Sequence, residues 1–128
     1  MPFQVFSDSI QKNCDLTYSN RMKAIAEMNT LEKVKIVWTK HKSCIDGASA
    51  EAYSEEISKL LEKNWEIIVQ SKELKDKGII NGLLFGISDV WEYNRSKKIL
   101  NFAKNNCTPL AEKLCNAIIV SDSNSDKK

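Results

Sequence analysis

The residues best suited to catalysis are the one histidine of the chain, His41, and a nearby cysteine, Cys44. In a continuing helix the two would share a face, because residues three apart are neighbours on the helix surface. A histidine beside a cysteine is the minimal pair for an activated thiolate, and flanking lysines at positions 40 and 42 would favour the thiolate. No third residue that would orient the histidine is identifiable. We therefore expect no catalytic residues and a protein that is not an enzyme.

Metal and cofactor sites are not expected from the sequence either. Zinc is held by four ligands that usually come in closely spaced pairs, but the four cysteines lie far apart, at Cys14, Cys44, Cys107 and Cys115. The sequence contains neither the phosphate-binding pattern Gly-x-x-x-x-Gly-Lys-Ser/Thr nor the dinucleotide-binding pattern Gly-x-Gly-x-x-Gly. We expect no metal ligands and no cofactor.

The cysteines are also a guide to the compartment. An even number permits disulfides, but residues 1–10 lack the basic and apolar regions of a secretory signal. We therefore predict a cytoplasmic protein with free thiols. A bond between Cys107 and Cys115 is not expected if the segment between them is helical. Eight residues of helix rise about 12 Å, whereas a disulfide tolerates a Cα separation of about 7 Å.

Composition predicts one all-α domain. The chain has 128 residues, of which 42% are hydrophobic and 28% charged, but only 4 are glycine and 2 are proline. So few turn residues favour long helices over a many-stranded sheet. The most apolar stretch, residues 79–91, contains an aspartate and is shorter than the roughly 20 residues that cross a bilayer, so we expect no membrane partner.

The predicted architecture is a bundle of five or six helices over residues 1–120. An irregular or strand-like arm is expected at the N-terminus, and the polar residues 121–128 are expected to form a disordered tail. Near residues 29–30 the pattern favours a break between two helices, with Thr30 as the cap of the second. The clearest helix covers residues 49–71, with an apolar face formed by Tyr53, Ile57, Leu60, Leu61, Asn64 and Ile68.

The remaining helices follow from the same spacing argument. Gly78 is expected to end the helix over 49–71. A helix over residues 79–94 is apolar nearly all round and is expected at the centre of the bundle, with Gly82 and Gly86 allowing a close approach. Another short helix is predicted from residue 96, and Thr108 followed by proline is a typical start for the last one.

The regional charge indicates how the protein could bind a partner. Residues 45–66 carry six acidic and two basic side chains, although the net charge of the chain is only +2. Four glutamates fall on the side of the predicted helix opposite its apolar face: Glu51, Glu55, Glu62 and Glu66. Such a row could dock onto the basic cleft of another protein. The sequence therefore favours a protein-binding module, such as an inhibitor or immunity protein that neutralises a basic-surfaced bacterial toxin. The alternative is a solvated helix face with no partner.

A second binding hypothesis uses the basic residues of the chain. Residues 21–44 carry six basic and two acidic side chains, and the block 33–42 includes Lys33, Lys35, Lys40, His41 and Lys42. These side chains could contact nucleic-acid phosphates. The near-neutral net charge and the lack of a helix-turn-helix pattern make a nucleic-acid-binding or regulatory domain the second choice.

Overall fold

A computed structural model describes residues 13–87 and 91–126, with side chains described through residue 122. These residues form the six α-helices named below, a further helical stretch at residues 13–16 and no strand, so the prediction of an all-α helical bundle is confirmed. The predicted N-terminal arm lies outside the described residues. The helices are α1 (Tyr18–Ala26), α2 (Leu31–His41), α3 (Gly47–Val69), α4 (Lys77–Gly86), α5 (Tyr93–Asn105) and α6 (Glu112–Asp126).

Helix α3 is the central element of the bundle, because it packs against α1, α4 and α5. The buried face includes most of the apolar residues expected from the sequence, namely Tyr53, Ile57, Leu60, Leu61 and Ile68, and also Trp65. Ser49 begins the buried face and accepts a hydrogen bond from the backbone nitrogen of Asp46 at 3.0 Å. Between them Gly47 adopts φ +49°, a conformation that favours glycine.

A kink at Asn64 divides α3. The backbone of Asn64 has φ −128° and ψ 22°, outside the helical region, and its side-chain nitrogen donates to the carbonyl of Leu60 at 3.2 Å. Side-chain amides compete with the backbone for such acceptors and disturb the regular ladder. The prediction assumed one continuous amphipathic helix over residues 49–71, and the structure places a kink between Glu62 and Glu66.

The break between α1 and α2 agrees with the sequence analysis. Thr30 adopts an extended conformation, and its hydroxyl accepts a hydrogen bond from the backbone nitrogen of Lys33 at 3.2 Å. Threonine in this position satisfies one of the free N–H groups of the first helical turn. Helix α2 then packs against α4.

Helix α4 is shorter than predicted. It covers Lys77–Gly86 instead of residues 79–94, because Ile87 turns to an extended conformation and Glu92 caps the separate helix α5. Gly78 lies in the first turn of α4 and does not end α3. Asp76 is the cap there, and its carboxylate accepts from the backbone nitrogens of Gly78 and Ile79 at 2.8 and 3.3 Å.

The two glycines of α4 do allow a close approach. A Cβ atom on Gly82 would lie 2.8 Å from a side-chain methyl of Val34 in α2, and one on Gly86 would overlap Ile57 in α3. Two α3 hydroxyls bond the same glycines: Tyr53 donates to the carbonyl of Gly82, and Ser54 donates to the carbonyl of Gly86, each at 2.6 Å. Burial raises the pKa of the Tyr53 hydroxyl.

The last helix extends further than the sequence analysis placed it. A 3₁₀ turn over Pro109–Ala111 leads into α6, which continues to Asp126, whereas a disordered tail was expected from residue 121. Continuing an existing helix through small polar residues costs much less than starting one. The proposed boundary between a domain over 1–120 and a tail over 121–128 stays a prediction.

Two disulfides correct the expectation of free thiols. Cys14 is bonded to Cys44 with a Cα separation of 5.3 Å, and Cys107 is bonded to Cys115 with a Cα separation of 6.4 Å. The second bond is possible because the intervening segment is not one continuous α-helix. Thr108 is extended, so Cys107 is separated from the helical residues that begin with the 3₁₀ turn at Pro109. The helical rise assumed in the sequence argument therefore does not apply.

Candidate binding site

A cleft of about 720 Å³ lies between the first half of α3, the end of α4 and the start of α5. Helix α3 contributes one wall because Ala50, Ser54 and Ser58 follow each other at helical spacing. The end of α4 contributes Phe85, and the segment after it contributes Ile87 and Trp91. This volume lies in the range of about 300 to 1,000 Å³ that is typical of ligand-binding clefts in proteins.

The floor of the cleft is apolar and is held in place by buried contacts. The ring of Phe85 is 42% exposed, and its centroid lies 4.7 Å from the ring of Trp38 and 5.5 Å from that of Tyr53. The indole nitrogen of Trp91 donates to the hydroxyl of Ser54 at 2.6 Å, and Ser54 in turn donates to Gly86. This chain of two hydrogen bonds fixes Trp91 against α3.

Three carboxylates border this floor: Glu51, Glu55 and Glu92. Glu51 is exposed and has no ion pair among the residues that the structure describes. Glu55 is 3.8 Å from the ammonium of Lys59, which lies closer to Glu56 at 3.4 Å. The first two of the predicted partner contacts therefore stand beside the cleft with little or no internal charge to balance them.

Glu92 has a structural role as well as a place at the cleft. Its carboxylate oxygens accept hydrogen bonds from the backbone nitrogens of Asn94 and Arg95 at 3.1 and 3.0 Å, which caps α5. These bonds, made to the charged form, lower the pKa of Glu92. The carboxylate is thus kept ionised and in a defined orientation at the edge of the cleft.

The other two predicted contacts, Glu62 and Glu66, occupy different environments. Glu62 is only partly exposed, and its carboxylate bonds the guanidinium of Arg95 at 2.9 Å and lies 3.7 Å from the ammonium of Lys98. Glu66 is exposed but comes after the kink, where it borders a second, smaller cleft of about 350 Å³ beside Trp65 and Phe102. The structure therefore brings Glu51 and Glu55 together and separates them from Glu62 and Glu66.

Among the described residues that line the larger cleft, Arg95 is the one basic side chain. In addition to its bond with Glu62, it donates to the hydroxyl of Ser58 at 3.4 Å. Its charge is therefore largely compensated by Glu62. Of the three glutamates of the lining, Glu51 has no ion pair in the described part of the chain, Glu55 has a long one with Lys59, and Glu92 caps α5.

The apolar floor of this cleft was not predicted from the sequence. Phe85 and Trp91 were assigned to one buried helix, so both were expected in the core. Two residues could have indicated a break in this helix. Gly86 is a residue at which a helix can end, and Glu92 is an acidic residue suited to capping a new helix. A break between these two positions would have separated Trp91 from α4 and placed it near the surface.

Two members of the basic block over residues 33–42 are occupied within the fold. Lys35 forms an ion pair with Asp76 at 2.8 Å, which raises the pKa of Lys35 and lowers that of Asp76. His41 is buried, and this burial together with nearby Lys40 and Arg21 lowers its pKa. Lys33, Lys40 and Lys42 remain exposed. The block therefore offers fewer free charges than its sequence suggests.

The possible nucleophile proposed from the sequence is not present as a thiol. Cys44 is oxidised in its bond to Cys14, so it cannot act with His41 as a thiolate. In the described part of the chain, no group of three or more histidine, cysteine, aspartate or glutamate residues could hold a metal ion. No helix over residues 13–87 or 91–126 is both long and apolar enough to cross a membrane.

Comparison with known proteins adds no assignment. No family model, curated protein or solved structure matches this chain.

Proposed function

We propose that this protein is a non-enzymatic binding module that holds a basic segment of another protein in the cleft between α3, α4 and α5. The observation that carries the proposal is the position of Glu51 and Glu55 beside an open apolar floor. An apolar surface provides affinity when it is covered, and exposed carboxylates select a partner of opposite charge and speed its approach.

The proposal narrows the surface expected from the sequence. Glu62 is already paired with Arg95, so using it for a partner would first require breaking that ion pair. Glu66 lies beyond the kink and cannot contact the same small partner surface as a continuous row. Glu92 takes their place, because its carboxylate borders the cleft that Glu51 and Glu55 also border.

An inhibitor or immunity protein for a basic-surfaced toxin is one form that such a module could take. The two disulfides favour action in an oxidising compartment over the predicted cytoplasm, because cytosolic thiols are kept reduced. The hypothesis agrees with the disulfides if the protein meets its partner outside the cytosol.

The test is selection from a phage library of random 12-residue peptides on the immobilised, oxidised protein. We expect the enriched peptides to be rich in arginine and lysine. The double variant Glu51→Lys/Glu55→Lys should weaken the binding of these peptides by at least about tenfold and should lower the association rate most at low salt.

The matched control is Glu66→Lys/Glu73→Lys, which changes the net charge by the same amount at exposed positions that do not line the larger cleft. It should retain the affinity within about twofold. Enrichment of peptides without basic residues would overturn the proposal. Equal losses in the two double variants would do the same, because the effect would then come from net charge and not from the cleft.

A further inference from the structure

We infer that the cleft is a specificity pocket for one arginine side chain of the partner, flanked in the partner sequence by apolar residues. This inference rests on the proposed function, and it names the chemistry that the cleft recognises. It follows from the combination of apolar lining residues with carboxylates from two helices, because Glu51 and Glu55 belong to α3 and Glu92 stands at the start of α5. The smaller cleft beside Trp65 also contains two aromatic residues and two glutamates, but both glutamates come from α3.

The floor suits the apolar part of such a segment. Phe85 and Trp91 are aromatic, Ile87 is aliphatic, and all three are at least partly accessible from the cleft. Because Phe85 is packed on Trp38 and Tyr53, and Trp91 is bonded to Ser54, these rings keep their positions without a partner. A preformed surface avoids the entropy cost of ordering side chains on binding.

The carboxylates suit a guanidinium group better than an ammonium group. A guanidinium is planar, donates from several nitrogens to carboxylates on different sides, and stacks on aromatic rings. Glu51 and Glu55 approach from α3, and Glu92 approaches from the start of α5. A lysine ammonium lacks the planar surface that could lie on the floor while it reaches these groups.

The cleft is too large to be filled by one arginine side chain. A volume of about 720 Å³ is suited to a ligand of several residues. Apolar residues on both sides of the arginine would cover the floor that the arginine leaves exposed. Polar residues beside the arginine would instead leave this floor in contact with water, and acidic residues there would place like charges near Glu51.

The experiment is an NMR titration of the oxidised protein with short capped peptides. The first peptide is acetyl-Leu-Arg-Leu-amide, and its partners replace the arginine by citrulline or lysine, or both leucines by serine. Citrulline has nearly the shape of arginine but no charge. We expect the affinity to fall by at least about tenfold with citrulline, by a few-fold with lysine, and by about tenfold with the two serines.

The backbone amide signals of Glu51, Ser54 and Arg95 should shift on binding because these residues line the cleft. In the variant Glu51→Gln/Glu55→Gln, arginine and citrulline peptides should bind with similar affinity. In Phe85→Ser, the leucine and serine peptides should become similar. Ile67→Ser, at a residue that is 74% exposed beside the smaller cleft, is the matched control and should change neither preference.

The outcomes separate this inference from the proposed function. If basic 12-residue peptides need Glu51 and Glu55 but show no preference for arginine over citrulline in the short peptides, the pocket inference is wrong and the binding proposal stands. Equal affinity for lysine and arginine would overturn the assignment to arginine. Shifts that cluster at Trp65 and Phe102 would place the peptide at the smaller cleft and would also overturn it.

Discussion

The two ends of α3 carry similar acidic pairs but are used differently by the fold. At the N-terminal end, Glu51 and Glu55 stand beside the cleft with little internal compensation. At the C-terminal end, Glu62 is paired with Arg95, and Glu66 follows the kink at Asn64. Four side chains of the same type therefore separate into two beside the larger cleft, one that is paired within the fold and one beside the smaller cleft.

The two ends are also anchored by different disulfides. Cys44 lies three residues before α3 and links its start to Cys14. The two neighbours of Cys107 contact the C-terminal end of α3. The carbonyl of Asn106 accepts from the indole nitrogen of Trp65 at 2.9 Å, and the hydroxyl of Thr108 donates to the carbonyl of Val69. A long covalent loop thus restrains the first end, and a short one, bonded to Cys115, supports the second. Three predictions test this comparison.

The largest expected effect comes from removing the disulfides. Cys14→Ala/Cys44→Ala opens a link across 30 residues, and Cys107→Ala/Cys115→Ala opens one across 8. Because a cross-link restricts the unfolded chain more when its loop is longer, we expect losses of about 3 to 4 and about 2 to 3 kcal/mol in the free energy of unfolding. Urea denaturation of each double variant measures them.

Mass spectrometry of the unreduced wild-type protein provides the control for this comparison, because it shows whether both bonds are formed. A larger loss from the short loop than from the long one would contradict the entropic account. It would indicate that the contacts of Asn106 and Thr108 with α3 matter more than the loop length.

The next largest effect is a difference in the free energy of unfolding between variants of Glu62 and of Glu66. In Glu62→Ala, Arg95 loses its partner in a partly buried position, so we expect the free energy of unfolding to fall by about 1 to 2 kcal/mol. In Glu66→Ala the change should stay within about 0.5 kcal/mol, since this residue is exposed and has no ion pair in the described part of the chain. The two substitutions have the same helix propensity effect, which makes them matched.

Arg95→Ala combined with Glu62→Ala completes a double-mutant cycle. A coupling energy near zero would show that the ion pair does not stabilise the fold. Glu62 would then be as available to a partner as Glu51, and the distinction between the two ends would be lost.

The smallest effect concerns pH and the first end of α3. His41 ends α2 close to Cys44, and its pKa is lowered from 6.5, mainly by burial and then by Lys40 and Arg21. The unfolded chain therefore binds a proton at a higher pH than the folded protein does. The contribution of His41 to the free energy of unfolding is therefore fully present above pH 6.5. It is lost as the pH decreases from 6.5 towards the lowered pKa of His41.

Thermal unfolding at a series of pH values between 7.5 and 5 measures this dependence, at intervals of roughly half a unit. In His41→Gln the decrease of Tm over this window should be smaller. Asp76→Asn is the control, because the pKa of Asp76 is lowered from 3.8 and its contribution is lost only in more acid solution. An unchanged pH profile in His41→Gln would show that the histidine titrates alike in the folded and unfolded states.

Much of the helical framework was predictable because it depends on local patterns. The break before Thr30, the amphipathic face of α3 and the close approach at Gly82 and Gly86 follow from side-chain spacing, capping and size, which neighbouring residues determine. The division of residues 79–94 into two helices was not recovered. An apolar run has the same pattern whether its residues are buried in one helix or surround a cleft.

The cysteine pairing shows the same limit. Residue spacing alone argued against Cys107–Cys115 because it assumed a helix throughout, whereas Thr108 between the two cysteines is extended. Distances between residues in sequence become distances in space only when the intervening backbone is known.

Sequence alone determined that this chain forms an all-α bundle and that acidic side chains gather on the outer face of α3, since both depend on the order of residue types along a helix. Only the tertiary structure decided which of those glutamates have partners within the fold, which cysteines are joined and where an apolar floor remains open. These outcomes depend on residues such as Arg95 and Trp91, which reach α3 from 33 and 37 positions further along the chain.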